Sequence, residues 1–259
     1  MNLPRPELEW RDLLALNRRQ IATNVLLSAP WLLASWWVAA QGWYVAALPL
    51  SFVFFLCALR QAHDCYHHSI GLGSRGVRVM LYALTLTMLC STHAIRYTHL
   101  QHHRAPLAAT DVEGRWAKLR GWQALLWGPW FSLHTQWHGL MHGDAATRFH
   151  SRRDGLLLLA VWLLALLWPH PLLVYHVLAM LAANAAVGFF AVWSVHRGCD
   201  AHGVFARTER RAWVNFATVH LLYHIEHHLF AQVPANHLPE LARRLDKAAP
   251  AWAQKRVLD

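Results

Sequence analysis

Residues 20–59 read QIATNVLLSAPWLLASWWVAAQGWYVAALPLSFVFFLCAL, a run without a single Asp, Glu, Lys or Arg. One helical crossing of a bilayer needs about 20 apolar residues, so a run of about twice that length holds two crossings and a turn. Gln41-Gly42-Trp43 supplies the turn, at residues that end helices. Residues 155–196, GLLLLAVWLLALLWPHPLLVYHVLAMLAANAAVGFFAVWSVH, repeat the pattern with Pro169-His170-Pro171 in the middle. The two runs predict an all-α integral membrane protein, one domain over residues 1–259. Four transmembrane helices form two hairpins at about 21–40, 43–59, 153–169 and 172–195. The third span is the shortest, since Leu156–Trp168 must be extended by Arg152 and Arg153 snorkelling at its end. Composition agrees, with 56% hydrophobic residues and fifteen Trp among 259.

All twenty-four Lys and Arg lie outside those two runs. The positive-inside rule therefore places the N-terminus, the middle segment and the C-terminal segment in the cytoplasm. A net charge of +10 suits anionic headgroups or an acidic protein partner. The basic residues border spans instead of forming a basic domain, which argues against nucleic acid. Glu7, Glu9, Arg11, Asp12, Arg18 and Arg19 precede the first apolar run, so the first span reads as an uncleaved anchor. Val79–Ile95 is also uncharged, yet only 30 residues separate His68 from His99, too few for the about 40 of a crossing and return. A single crossing would strand Arg96, Arg104, Arg115, Lys118 and Arg120 outside. This segment, about 79–95, is read as an interfacial helix, lying in the interface or dipping partway in, made more polar by Thr85, Thr87, Ser91 and Thr92.

Ten of the twenty histidines fall into three clusters and one outlier. The clusters are His63-Asp64-Cys65-Tyr66-His67-His68, His99-Leu100-Gln101-His102-His103 and His224-Ile225-Glu226-His227-His228; His196 stands apart. Residues at i, i+3 and i+4 share a helix face, so each cluster aims two or three imidazoles at one place. Imidazole suits zinc, copper, iron and nickel, and eight or more converging rings point to more than one ion. The topology puts all three clusters on one side of the membrane, in a cytoplasmic helical cap holding a di-metal site. The four cysteines lack CxxC spacing, which excludes an iron–sulfur ligand set or disulfide framework, and no GxGxxG or phosphate loop is present. His134, His138 and His142, spaced by four among Trp130, Phe131 and Trp137, read as an interfacial amphipathic helix. His170 and His176 fall on the far side, and His93, His150, His202 and His237 read as structural or exposed.

In this order and setting the clusters resemble the histidine boxes of the membrane fatty acid desaturase superfamily, which also includes hydroxylases and ketolases. The resemblance runs from about Leu59 to Leu241, with HxxxH at His63–His67 and HxxHH at His99–His103 and His224–His228. The stretch from His224 through Leu229-Phe230, Val233-Pro234 and Leu238-Pro239-Glu240-Leu241 is similar to bacterial acyl desaturases, which commonly have Pro where this chain has Ala231. The resemblance implies a non-haem centre of two iron ions with O2 as co-substrate. Its ligands would be His63, His67, His99, His102, His103, His224, His227 and His228, with His196 in the place of the family's additional histidine. The first box also reads as HxxxxH, which makes His68 a further candidate, although His67 shares a face with His63 and His68 turns away. His220, one turn before His224, is another. Metal-bound imidazole donates its other N–H to a carboxylate or carbonyl. Asp64 and Glu226, inside the boxes, are candidates for that role, as are Asp111, Glu113 and Asp200 just beyond them.

The activity implied is O2-dependent introduction of a double bond into a lipid acyl chain, with no catalytic residue beyond the metal centre. The alternative is a hydroxylase or ketolase of the same superfamily acting on a carotenoid, alkane or other lipid. A metal transporter would place ligands within the spans, whereas these clusters lie past them. No haem, flavin or iron–sulfur motif is present, so electrons come from a separate ferredoxin, rubredoxin or cytochrome b-type donor with its reductase. The third box opens with His224, where the family's haem-fused front-end desaturases open it with Gln. The implied location is a bacterial inner membrane.

Overall fold

The computed structural model describes residues 6–258. Helices α1 (Arg18–Leu26) and α2 (Ala29–Ala40) run nearly continuously to a turn at Gln41–Trp43, where Gly42 takes φ 81°. The chain returns as α3 (Tyr44–Tyr66). After α4 (Ser74–Met88) and α5 (Thr92–Arg104), α6 (Gly121–Leu126) and α7 (Gly128–His142) lead to α8 (Ala145–Leu167) and α9 (Pro171–Gly188). A π-turn at Phe189–Trp193 joins α9 to α10 (Ser194–His196). Three short helices, α11 (Ala212–Ala217), α12 (His224–Leu229) and α13 (Leu238–Ala248), close the fold. Among the described residues the only β-pairing is an isolated bridge between Thr208 and Arg256.

Among the described residues three helical stretches are long and apolar enough to cross a membrane: Arg18–Ala40, Tyr44–Tyr66 and Pro171–His196. The predicted third span, 153–169, is not among them. Its apolar part begins only at Gly155, after Arg152, Arg153 and the fully buried Asp154, and ends with α8 at Leu167. That is short of the about 20 residues a crossing needs. The segment predicted at 79–95 is not a single helix. It is two helices, α4 and α5, bent by 108° at Leu89–Ser91, with Leu89 at φ 55°, and it makes a fourth candidate span only if the pair is counted as one.

This break sets free backbone carbonyls away from water, and α9 captures them. His176 donates from Nε2 to Thr87 O at 2.9 Å while its Nδ1 accepts from Trp36 Nε1 at 3.1 Å. Asn184 Nδ2 donates to Met88 O at 2.7 Å. Non-helical backbone in apolar surroundings is tolerated where protein satisfies its polar groups, as α9 does for these two carbonyls. The α1–α2 break is handled alike, with Gln61 Nε2 of α3 donating to Asn24 O and Val25 O. On the other side of α5, the buried Asp154 of α8 accepts from Ser91 Oγ at 2.8 Å and from the His93 backbone N–H and Nδ1 at 3.1 Å, fixing the first turn.

The main core lies among α2, α3, α4 and α9, around Phe54, Ile70, Leu81 and Met180. A second forms where one face of α13, carrying Leu238, Leu241 and Leu245, packs under α12. Helix α7 is wedged between α5 and α9 at glycine contacts. A Cβ on Gly128 would lie 1.6 Å from Ala185 O, and one on Gly139 would lie 2.1 Å from Ala94 O. Gly139→Val should therefore force α7 off α5, costing about 1–3 kcal/mol and lowering the thermal unfolding temperature in detergent. Gly155→Ala, where a Cβ meets nothing within 4 Å, should leave it unchanged or raise it.

Candidate metal centre

The fold brings nine histidines into two adjoining groups. His63, His67, His99, His103 and His227 form one; His102, His196, His224 and His228 form the other, with the donor nitrogens in each within 4.8 Å of one another. The spacing of the boxes explains the division. On α5, His99 and His103 are four apart and stay together, while His102 crosses to the second group; on α12, His224 and His228 stay together and His227 crosses to the first. Residues three and four apart lie about 100° apart around a helix, so HxxHH serves two neighbouring points and HxxxH serves one. The groups touch where His103 stacks on His228, ring centroids 4.1 Å apart. His196 reaches the second group from the end of the π-turn, an insertion that resets the helical phase just before it.

Nitrogen meets nitrogen throughout. His67 and His99 Nε2 lie 3.1 Å apart, His103 and His227 3.0 Å, His102 and His196 3.0 Å, His196 and His224 2.9 Å, and His224 and His228 3.1 Å. The outer ring nitrogens are committed elsewhere. His102 Nδ1 donates to Asp111 Oδ2 at 2.6 Å, His99 Nδ1 to Glu113 Oε2 at 3.2 Å and His196 Nδ1 to Phe205 O at 2.7 Å. In their neutral forms these rings have only lone pairs to turn inward. Burial, then neighbouring imidazoles, push His224, His227 and His228 well below the ordinary histidine range, so they are neutral donors at pH 7. Converging lone pairs are the donor set of a cation site. Five imidazoles in one group exceed the four ligands of a tetrahedral structural zinc.

The carboxylates that hold the imidazoles are Asp111 and Glu113, not the two inside the boxes. Asp111 is further fixed by the Leu107 and Gly114 N–H groups, and Glu113 by Thr98 Oγ1. Asp64 follows His63 by one residue and so faces elsewhere, toward Arg60 at 3.5 Å and Ser69. Glu226 lies on the opposite face of α12 from the ligating pair and binds Arg210 and Thr208; Arg210 continues to Asp246 and ties α12 to α13. Asp200 caps its own turn at His202 N–H. His68 and His220 stay outside both groups. His68 is exposed just past the end of α3 at φ 56°, its Nε2 on Arg96. His220 precedes α12 in a turn at φ 69° rather than on the same helix, and its Nδ1 meets Ala235 O. His134, His138 and His142 lie on α7, apart from both groups.

A cavity of about 570 Å³ leads to the centre. Its walls come from α3, α7, α9 and the π-turn, and it meets both groups at His63, His99, His102 and His224.

These features define a helical integral membrane protein with a buried, two-part histidine centre at the end of an apolar cavity. The family model for fatty acid desaturases matches residues 34–256, and the chain belongs to that family of lipid oxidoreductases. No curated protein matches it.

Removing the Asp111 carboxylate should free the His102 ring. Asp111→Ala is expected to weaken metal binding about 10–100-fold, measured by competition with a chelator. His68→Ala and His220→Ala should leave the number of metal ions per chain unchanged.

Proposed function

We propose that the chain is an O2-dependent di-iron enzyme that introduces a double bond into a lipid acyl chain. The observation that carries this reading is the apolar cavity running to both histidine groups. His63, His67, His99, His103 and His227 would hold one iron, and His102, His196, His224 and His228 the other. Iron held there supplies, with O2, the power to remove hydrogen from an unactivated C–H bond. Overall, two hydrogens leave adjacent carbons and O2 becomes two waters, using two further electrons and two protons from a donor. The chain's own residues orient and protect. Asp111, Glu113 and the Phe205 carbonyl fix the imidazoles, and Phe55, Leu59 and Val192 keep water from the chain lying against His63. Desaturation is favoured over hydroxylation by the sequence around the third box, Leu229-Phe230 through Leu238-Pro239-Glu240-Leu241.

The electron donor in this reading is a separate acidic ferredoxin, rubredoxin or cytochrome b-type protein. Arg104, Arg115, Lys118 and Arg120 are exposed on the segment that also carries Asp111 and Glu113, so a basic surface lies beside the centre. The distribution of Lys and Arg supports both ends and the centre in the cytoplasm, and the likeness of the third box to bacterial acyl desaturases makes the membrane in this reading a bacterial inner membrane.

The test is lipid analysis of a bacterial host expressing the chain with a donor and reductase, against His227→Ala. New unsaturated acyl chains absent from the control are expected. Hydroxylated or keto lipids instead would transfer the chain to that branch of the family, and a chain that binds no iron would end the oxidative reading. For orientation, a cysteine placed at His170 should react with a membrane-impermeant thiol reagent from outside intact cells, and one at Lys247 should not.

A further inference from the structure

The cavity wall is mostly apolar, as a hydrocarbon requires, but polar side chains interrupt it, Tyr66, Ser132, Thr135 and Asn184 among them. The Asn184 amide has one orientation, because Nδ2 donates to Met88 O at 2.7 Å and to Met180 O at 2.8 Å. Both amide hydrogens are used, and Oδ1 is left without a partner among the described residues. Ser132 is the converse. Its Oγ accepts from Gln136 Nε2 at 3.2 Å and donates to nothing among the described residues, which leaves its O–H hydrogen free. Thr135, the neighbouring polar residue in the wall, turns its hydroxyl onto Phe131 O and Ser132 O instead. Ser132 and Asn184 border the same feature, the α4–α5 break. Asn184 holds Met88 O, and Gln136, which holds Ser132, accepts the Ser91 N–H at 2.6 Å.

An unpaired acceptor and an unpaired donor in an apolar wall are each matched by a hydroxyl group, which can give one hydrogen bond and take another. A methylene against either group would displace water and leave that group unsatisfied, weakening binding about 10-fold. We propose that the substrate carries a hydroxyl group on its long chain and that Asn184 and Ser132 select it. The inference rests on the reading of this cavity as a lipid channel, and it narrows the substrate class from acyl lipids to hydroxylated ones.

Binding tests this without turnover. The full chain in phosphatidylcholine nanodiscs is loaded with cis-parinaric acid, which is then displaced by stearic acid or by each of a set of monohydroxystearic acids. At least one isomer should displace the probe about 10-fold better than stearic acid. Ser132→Ala should cut that advantage several-fold without touching the bonds to Met88 and Met180. Asn184→Leu, which also removes the bonds to Met88 O and Met180 O, should abolish it, and stearic acid binding by that variant reports whether the cavity survives. If every isomer binds no better than stearic acid, or the preference survives both variants, the hydroxyl assignment is overturned while the lipid channel stands. If neither the probe nor stearic acid binds, the lipid channel itself is wrong, and the inference goes with it.

Discussion

With their outer nitrogens donating to Asp111 and to the Phe205 carbonyl, neutral His102 and His196 turn Nε2 lone pairs toward each other at 3.0 Å, and much of the structure around the two histidine groups serves to hold rings in such poses. Asp111, Glu113 and the Phe205 carbonyl each hold an imidazole by its outer nitrogen, so these rings cannot rotate their inner nitrogens away. A cation would be held by lone pairs so aimed, which couples metal binding to the stability of the cap.

Helical spacing alone was enough to read much of the centre. Three clusters with partners at i+3 or i+4 identify which rings converge, and the same arithmetic explains why His68, at i+5 from His63, turns toward Arg96 instead. Spacing does not reveal what holds the rings, because those partners come from a loop that folds back on α5. A compositional signal was present nonetheless: between Asp64 and Asp144 the only acidic residues are Asp111 and Glu113, set among arginines. Asp154 carried a similar signal as the last charge before a long apolar run.

Hydropathy gave the first hairpin and α9 but misjudged the region between. It cannot distinguish a straight apolar helix from one broken at Leu89–Ser91, because the break is created by distant partners and not by a proline or glycine at the site. The same averaging overstated α8, where a short apolar stretch abuts two arginines and a buried aspartate. Apolar runs report what lipid or core will accept; they do not report where a chain must turn to aim a ligand.

The captured break has a consequence for how the protein is made. His176 and Asn184 emerge from the ribosome 89 and 96 residues after the carbonyls they satisfy. Until α9 enters the bilayer, those two carbonyls of the α4–α5 elbow have no internal partners, although Asp154 can already hold the first turn of α5. The centre is assembled late, because His196 and the third box follow the last apolar helix.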